Sequence, residues 1–187
     1  MDNVELWNAY AWPEHCLRVN FVVSLNGHVK DASGLSGGLS DSEDRRVFHM
    51  LLAGCDAVLV GAGTVRAEKY KPMRLQSQWA GYRTQEMPPP LIIVSASGNV
   101  PDIEGAITVD GSDLPALKQT YPRILCEGGP HLFASLLEQR LVDEIAVSIT
   151  GQIGGSGALL PRPVSAEFTP IHTHLHDESI FTLWSRP

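Results

Sequence analysis

The hydrophobic positions of this chain fall into short apolar runs separated by stretches with helical spacing. The apolar runs predict buried strands at residues 18–25, 56–60, 91–94, 107–109, 124–126 and 145–149, with a closing pair at 172–176 and 179–184. Helical spacing predicts helices at residues 40–54, 65–69, 114–119 and 130–141. This alternation predicts an α/β fold, in which helices flank a mostly parallel central sheet with an antiparallel C-terminal edge.

The remaining segments lack a regular hydrophobic pattern. We expect residues 1–16 to form an irregular arm over one domain that spans residues 1–187. Residues 70–90 contain four prolines, and this composition predicts a surface segment without regular structure. The small residues of 33–39 form either a loop that closes over a ligand or a flexible connector, and composition favours the connector. Ser40 to Glu43 fits a helix-starting capping box.

Composition narrows the possible partners. Hydrophobic residues make up 43% of the chain and charged residues 19%, which is typical of a globular protein. The net charge of −7 argues against nucleic acid or an anionic membrane surface as a partner. The N-terminus has no signal-peptide pattern, and no apolar run approaches the ~18 residues of a membrane span. Three scattered cysteines fit a reduced cytoplasmic location.

Two predicted strands end in glycines that lead directly into a helix. Gly61 to Thr64 follows one strand, and Gly128-Gly129-Pro130 follows another. Backbone N–H groups at such corners can bind a pyrophosphate. A Gly-Gly pair by itself favours an ordinary tight turn, and Thr64 could cap the helix after Gly63 instead of binding a phosphate. Ser95 and Ser97 end a third strand and could bind a 2′-phosphate. Gathered at one sheet edge, these groups predict a dinucleotide site without the six-position glycine fingerprint.

Other catalytic signatures are weak or missing in the sequence. His172, His174 and His176 alternate along one predicted strand and could bind a metal, but a solvated face is the more common meaning, and we expect no metal. The G-x-S-x-G elbow of a hydrolase does not occur. Hydrolase chemistry is therefore discounted.

Four stretches occur in a characteristic order: RVNFVVSLNGH from Arg18, SGLSGGLS from Ser33, DAVLVGAGTVRAE from Asp56 and ILCEGGPHL from Ile124. This order resembles the reductase domain of the bacterial riboflavin-pathway deaminase–reductase, which has the dihydrofolate-reductase-like fold. The GLSGG and GAGTVRAE motifs are most similar to a stand-alone pyrimidine-reductase-like branch of actinobacteria. The zinc deaminase half has no counterpart, because no H-x-E motif accompanied by P-C-x-x-C occurs in the sequence.

The resemblance implies NADPH-dependent reduction of 5-amino-6-(5-phosphoribosylamino)uracil and suggests a homodimer. The residues expected at the pyrimidine substrate are Asn20, Ser36, Arg74 and Glu127. The residues expected at NADPH, from the motifs and the glycine corners, are Val22, Gly38, Gly61, Gly63, Thr64, Glu68, Ser95, Ser97, Gly128, Gly129, Pro130, His131 and Leu132. For Glu127 a purely structural role remains as an alternative, in which its side chain caps the helix that follows.

Two positions depart from the family pattern. Asn20 stands where the family usually has a lysine, and Leu52 stands where it often has an arginine for the substrate phosphate. The cofactor is therefore the firmer part of the inference. Two alternatives stay open: a reductase for another heterocycle such as dihydrofolate, and a non-catalytic protein that binds the nucleotide without oxidising it.

Overall fold

The structure is a computed structural model that describes residues 1–83, 85 and 87–187. Its strands are β1 (Cys16–Ser24), β2 (His28–Lys30), β3 (Ala57–Gly61), β4 (Leu91–Val94), β5 (Ile107–Val109), β6 (Arg123–Cys126), β7 (Glu144–Thr150), β8 (Ser156–Ala158), β9 (Thr169–His176) and β10 (Ser179–Ser185). Its α-helices are α1 (Asn3–Ala9), α2 (Ser42–Gly54), α3 (Ala62–Glu68), α4 (Ser77–Ala80), α5 (Leu114–Thr120) and α6 (Pro130–Glu138).

Eight strands form the central sheet, in the order β5-β4-β3-β6-β1-β7-β10-β9. The pairs from β5 to β7 are parallel, and β10 is antiparallel to both β7 and β9. The predicted parallel sheet with an antiparallel C-terminal edge is thus confirmed. A parallel order places the carboxyl ends of β1, β3, β4 and β6 along one rim, where open α/β sheets bind their ligands.

Both faces of the sheet are covered, which explains why the central strands are continuous apolar runs. Along β3, Val58 and Val60 pack into the core on the side of α2, whereas Ala57 and Leu59 pack on the side of α6. These four side chains are therefore all buried, although they point to opposite faces.

The N-terminal segment is not the irregular arm that the sequence suggested, because residues 3–9 form a helix. The Asp2 carboxylate accepts the N–H groups of Val4 and Glu5, and Glu5 bonds back to Asp2 in a capping box. Leu6 is buried in the core. Arg18, which is fully buried, donates to the carbonyl oxygens at positions 10 and 11 and pairs with Glu144. The segment is therefore part of the domain core.

Three predicted helix boundaries are wrong by one to three residues, and one of them is the start of α3, which begins at Ala62 rather than at residue 65. The N-cap of α2 is Asp41, whose side chain accepts the Asp44 N–H, and Ser40 lies before the cap. Helix α6 ends at Glu138 because the N–H groups of Arg140 and Leu141 bond to the carbonyl oxygens of Leu137 and Leu136. This is a Schellman motif with Arg140, at φ 56°, in the position that glycine usually occupies.

The prediction of no regular structure in residues 70–90 is also wrong in part. The segment contains α4, and Trp79 of α4 is 0% exposed within the core beside α2. Thr84 and Glu86 of this segment lie outside the described residues. Two short strands, β2 and β8, were not predicted, and they pair as a small separate sheet. Within the described residues, no helix is both long and apolar enough to cross a membrane.

Candidate active site

Two adjoining cavities open along the rim of the parallel sheet. The inner cavity, about 350 Å³, lies between the end of β1 and one side of α2. The outer cavity, about 640 Å³, lies between the ends of β3 and β4 and the first turns of α3 and α6. Five residues line both cavities: Lys30, Thr64, Glu68, Gly129 and Pro130. The two cavities therefore form one continuous cleft.

The two glycine corners meet at this cleft. The Gly61 N–H donates to the carbonyl oxygen of Gly128 at 2.8 Å, which joins the end of β3 to the end of β6. Gly128 has φ +80° and lies against the ring of Phe21, where an added Cβ would approach a ring carbon to 2.9 Å. The Gly128–Gly129 peptide bond is cis. At Gly129 an added Cβ would meet the Thr64 hydroxyl at 2.6 Å, so the backbone and Thr64 are in close contact.

The outer cavity collects most of the residues that the sequence assigned to the cofactor. It is lined by Gly61, Gly63, Thr64, Glu68, Ser95, Ser97, Gly129, Pro130, His131 and Leu132. Gly129 is the N-cap of α6 and has no side-chain cap, and the first N–H groups of α6 have no intrahelical partner. An added Cβ at Gly63 would meet no atom within 4 Å, so the space beside this corner is open to a ligand.

The charges of the outer cavity also suit an anion. Among the described residues that line it, Lys30 and Arg66 carry positive charge and Glu68 carries negative charge. Arg66 donates to the carbonyl oxygen of Asn99 at 2.7 Å, which holds its guanidinium beside the loop that contains Ser95 and Ser97. Size, exposed N–H groups and local positive charge together fit a phosphorylated dinucleotide. Arg66 was not identified from the sequence.

The inner cavity has a different chemistry. Besides the predicted residues that it shares with the outer cavity, it is lined by four more, Asn20, Val22, Ser36 and Glu127. Its described lining also contains the carboxylates of Asp44, Glu68 and Glu127, together with Lys30, Arg45 and the aromatic rings of Phe48 and Tyr70. An apolar surface with several hydrogen-bond acceptors suits a flat, polar heterocycle rather than a second dinucleotide.

Glu127 lies at the carboxyl end of β6, and its backbone N–H donates to the carbonyl oxygen of Leu59. Its Oε2 accepts a hydrogen bond from the hydroxyl of Tyr70, whereas Oε1 is buried without a partner among the described residues. Burial raises the pKa of Glu127 to about 7, and the bond from Tyr70 opposes this shift. Among the described residues, Oε2 accepts from Tyr70 alone and Oε1 from no donor, so Glu127 does not cap α6.

The loop at residues 33–39 is tied down next to the cleft. The Asp31 carboxylate accepts the N–H groups of Ser33 and Leu35, and the Ser36 N–H donates to Glu68 Oε1 at 2.8 Å. The loop therefore connects β2 to α2 in a defined conformation and contacts a residue shared by both cavities. Ser36, which is expected at the substrate, therefore contacts Glu68, which is expected at the cofactor, where the inner and outer cavities meet.

Three predicted site residues do not line either cavity. Arg74 is exposed outside the cleft. Gly38 lies against Asp31, where an added Cβ would meet a carboxylate oxygen at 1.8 Å, and its carbonyl oxygen accepts from Gln152. Gly128 shapes the corner behind Gly129. Of the two departures from the family pattern, Asn20 lines the inner cavity and Leu52 is buried in the core.

Two of the three histidines of β9, His172 and His174, are in contact with each other and half-buried, whereas His176 lies beside Asp177. His172 Nε2 and His174 Nδ1 lie 3.1 Å apart, and the His174 ring stacks on Phe181. Burial lowers the pKa of His174 to about 4. In the part of the chain that the structure describes, no group of three or more His, Cys, Asp and Glu residues has an arrangement that could bind a metal ion.

Comparison with known proteins agrees with the resemblance seen in the sequence. The RibD C-terminal domain family matches residues 15–183. The 2,5-diamino-6-ribosylamino-4(3H)-pyrimidinone 5′-phosphate reductase of Archaeoglobus fulgidus is 27% identical over 171 residues, with 69% of this chain and 77% of the relative covered.

Solved structures show the same fold at lower identity. A pyrimidine reductase-like protein from Corynebacterium diphtheriae superposes with a TM-score of 0.82 at 20% identity, covering 97% of this chain and 98% of the other. Dihydrofolate reductase from Enterococcus faecalis, complexed with NADP(H), superposes with a TM-score of 0.67 at 12% identity, covering 92% and 97%. The predicted dihydrofolate-reductase-like fold is confirmed.

Proposed function

The chain belongs to the RibD C-terminal domain family, whose members are oxidoreductases, and we propose that it is an NADPH-dependent reductase of 5-amino-6-(5-phosphoribosylamino)uracil or a close pyrimidine analogue. One observation above all supports this function. The outer cavity, with its free N–H groups, and the inner cavity, with its acceptors, adjoin at Thr64 and Gly129. Such a cleft can hold a dinucleotide and a heterocycle side by side.

NADPH would supply a hydride to C1′ of the opened, imine-like ribosyl group, which becomes ribityl as NADPH and one proton are consumed. The residues of the protein chiefly bind and orient the two reactants, which is a large source of rate in such reactions. The first N–H groups of α6 and the corner at Gly63 would bind the diphosphate. Arg66, Ser95 and Ser97 would surround a 2′-phosphate and so favour NADPH over NADH.

The residues of the inner cavity would bind the pyrimidine substrate. Glu127 would accept hydrogen bonds from N–H groups of the pyrimidine or from ribose hydroxyls, through the oxygen that has no protein partner among the described residues. Since Asn20 and Leu52 replace the usual cations, Lys30 and Arg45 are the charged groups in the described lining of this cavity that can neutralise a substrate phosphate. The name of the Archaeoglobus relative specifies a phosphorylated ribosylaminopyrimidine, which supports this assignment by analogy.

We also propose that the protein is a cytoplasmic homodimer. Strand β9 ends the central sheet, and its Ile171 and Leu175 are exposed. An uncovered edge strand with exposed apolar side chains is a surface that a second copy can cover. The three cysteines are buried without disulfides, as in a reducing compartment. Light scattering at micromolar concentration should give twice the mass of one chain, and the mass of a single chain would contradict the dimer.

The proposed activity is tested with the full-length chain, NADPH and one candidate substrate at a time, followed at the absorbance of the reduced nicotinamide. We expect NADPH oxidation with a phosphoribosylaminopyrimidine and none with dihydrofolate. Oxidation with dihydrofolate alone would favour the alternative heterocycle reductase. Tight NADPH binding without oxidation by any pyrimidine or pteridine would favour a non-catalytic nucleotide-binding protein.

A further inference from the structure

Exposed basic residues border the cleft of this acidic protein. The net charge of −7 repels anionic reactants at a distance. Helix α3 and the segment that follows it, residues 62–74, nevertheless contain four cations and one anion, which are Arg66, Lys69, Lys71, Arg74 and Glu68. All four cationic residues are exposed. The local charge of this segment is therefore opposite in sign to that of the whole molecule.

The cations of residues 62–74 are also not compensated by ion pairs. Five basic residues in other parts of the molecule form salt bridges with carboxylates, namely Arg18, Arg46, Lys118, Arg123 and Arg162. In the part of the chain that the structure describes, none of the four cations of residues 62–74 forms one. Their positive field therefore extends into the solvent in front of the cleft.

Lys69 and Lys71 lie at the entrance of the inner cavity. Both are sequence neighbours of Tyr70, which lines this cavity, and Lys69 also follows Glu68, which lines both cavities. The Cα atom of each lysine is thus about 3.8 Å from that of a lining residue. This separation is well within the Debye length of ~10 Å at 0.1 M ionic strength, so both charges act on a ligand that enters the cleft. Neither lysine lines a cavity itself.

Helix stability explains only part of this charge. Lys69 is the C-cap of α3, where a cation interacts favourably with the helix dipole, but Lys71 lies beyond the helix. Arg140 provides a comparison, because it follows α6, is exposed and has φ 56°, against 52° for Lys69. The nine residues of α6 span about 14 Å, so Arg140 lies more than a Debye length from the corner at Gly129.

We propose that Lys69 and Lys71 form a capture surface, which attracts polyanionic reactants to the cleft and accelerates their association. This role rests on the proposed function, because NADPH and a phosphorylated pyrimidine carry the negative charge that such a surface attracts. Electrostatic steering raises association rates by roughly 10- to 1,000-fold and weakens with added salt. Because both lysines lie outside the cavities, they should affect association much more than dissociation.

The test measures the association of NADPH with the full-length chain by stopped flow, as energy transfer from tryptophan to the reduced nicotinamide. The wild-type association rate constant should fall about tenfold between about 20 mM and about 300 mM salt. Lys69→Glu and Lys71→Glu should each slow association by about threefold or more at low salt and change dissociation by less than about twofold. Arg140→Glu, which changes the net charge equally, should leave association nearly unchanged.

Three results would overturn the proposal. Lysine variants that associate at the wild-type rate would show that the surface captures nothing. Equal slowing in Arg140→Glu would assign the effect to net charge. A change confined to dissociation would assign the two lysines to direct contact with the bound cofactor.

A chain that does not bind NADPH would contradict the proposed function instead, and the capture surface is then measured directly by NMR. The backbone amides of residues 69–71 should relax faster with a negatively charged nitroxide than with a neutral one. This contrast should disappear in the double variant Lys69→Glu, Lys71→Glu. Equal relaxation by the two nitroxides in the wild type would refute the capture surface.

Discussion

The hydroxyl of Tyr70, in the segment after α3, donates a hydrogen bond to the carboxylate of Glu127 at the end of β6, 57 positions later in the chain. Both side chains line the inner cavity. Because Tyr70 occupies one carboxylate oxygen, the other is left for a ligand. Burial raises the pKa of Glu127 to about 7, so this carboxyl is partly protonated at neutral pH and can both accept and donate hydrogen bonds.

Glu127→Gln should lower kcat/KM for the pyrimidine by roughly ten- to a hundredfold, because it removes a charge-assisted hydrogen bond worth ~1.5–3 kcal/mol. Affinity for NADPH should change little. Steady-state kinetics and calorimetric titration measure the two effects. The control is Glu138→Gln, an exposed carboxylate of α6 that pairs with Arg162 outside the cleft. A folded Glu127→Gln protein with normal turnover would show that Glu127 does not contact the substrate.

The same variant should change how stability depends on pH. Since the pKa of Glu127 is raised from 4.5 to about 7 in the folded state, the stability gained from its bound proton is fully present below pH 4.5 and is lost as the pH rises to about 7. Glutamine does not titrate. The free energy of unfolding of Glu127→Gln relative to wild type should therefore increase by at most ~3 kcal/mol across this window. Denaturant unfolding at both ends measures it, and a constant difference would contradict the buried environment of Glu127.

Gly63→Asp should weaken NADPH binding by about tenfold or more, a loss of at least ~1.4 kcal/mol. The aspartate would place a negative charge in the open space of the outer cavity, and it should not harm the first turn of α3. Gly63→Asn, which has similar size and no charge, is the matched control for calorimetry. A substitution at Gly129 is less informative, because its side chain would also collide with Thr64. Equal affinity of the Asp and Asn variants would argue against a phosphate at this corner.

The double variant Ser95→Ala, Ser97→Ala should narrow the preference for NADPH over NADH and leave NADH binding nearly unchanged. The reason is that hydroxyl groups near a 2′-phosphate contribute only to the phosphorylated cofactor. Arg66→Gln should narrow the preference further, since it removes a charge beside the same loop. Affinities for both cofactors are compared by titration. A wild type that binds NADH as tightly as NADPH would refute the 2′-phosphate site.

Much of the fold could be predicted because its signals are local. The β-branched runs of β3 and β4 are buried on both faces, and their boundaries follow directly from the apolar pattern. The end of α6 was missed because Arg140 adopts a left-handed conformation that is typical of glycine. Helix α1 was missed although Asp2 and Glu5 form its capping box, because its burial depends on Arg18 and on α2.

The residues of the candidate site also fall into two groups, those that the sequence pattern predicts and those that only the structure identifies. The glycine corners could be predicted, because a parallel sheet brings the ends of its strands to one rim. Tyr70, Asp44 and Arg66 could not, because each acquires its position from a contact that the sequence pattern does not encode. Tyr70 reaches Glu127 from a proline-rich segment, and Asp44 resembles an ordinary acidic residue of a first helical turn until its burial is known.

The central claim is that this chain transfers a hydride from NADPH to the ribosyl carbon of a pyrimidine. Its most direct test is a single turnover followed by NMR of the product. The NADPH carries deuterium at C4 of the nicotinamide, on the face from which the enzyme takes the hydride. We predict one deuterium at C1′ of a ribityl product, with one NADPH oxidised for each product formed. A product without deuterium at C1′ would contradict the account. So would NADPH that stays unoxidised with both 5-amino-6-(5-phosphoribosylamino)uracil and its 2-amino analogue.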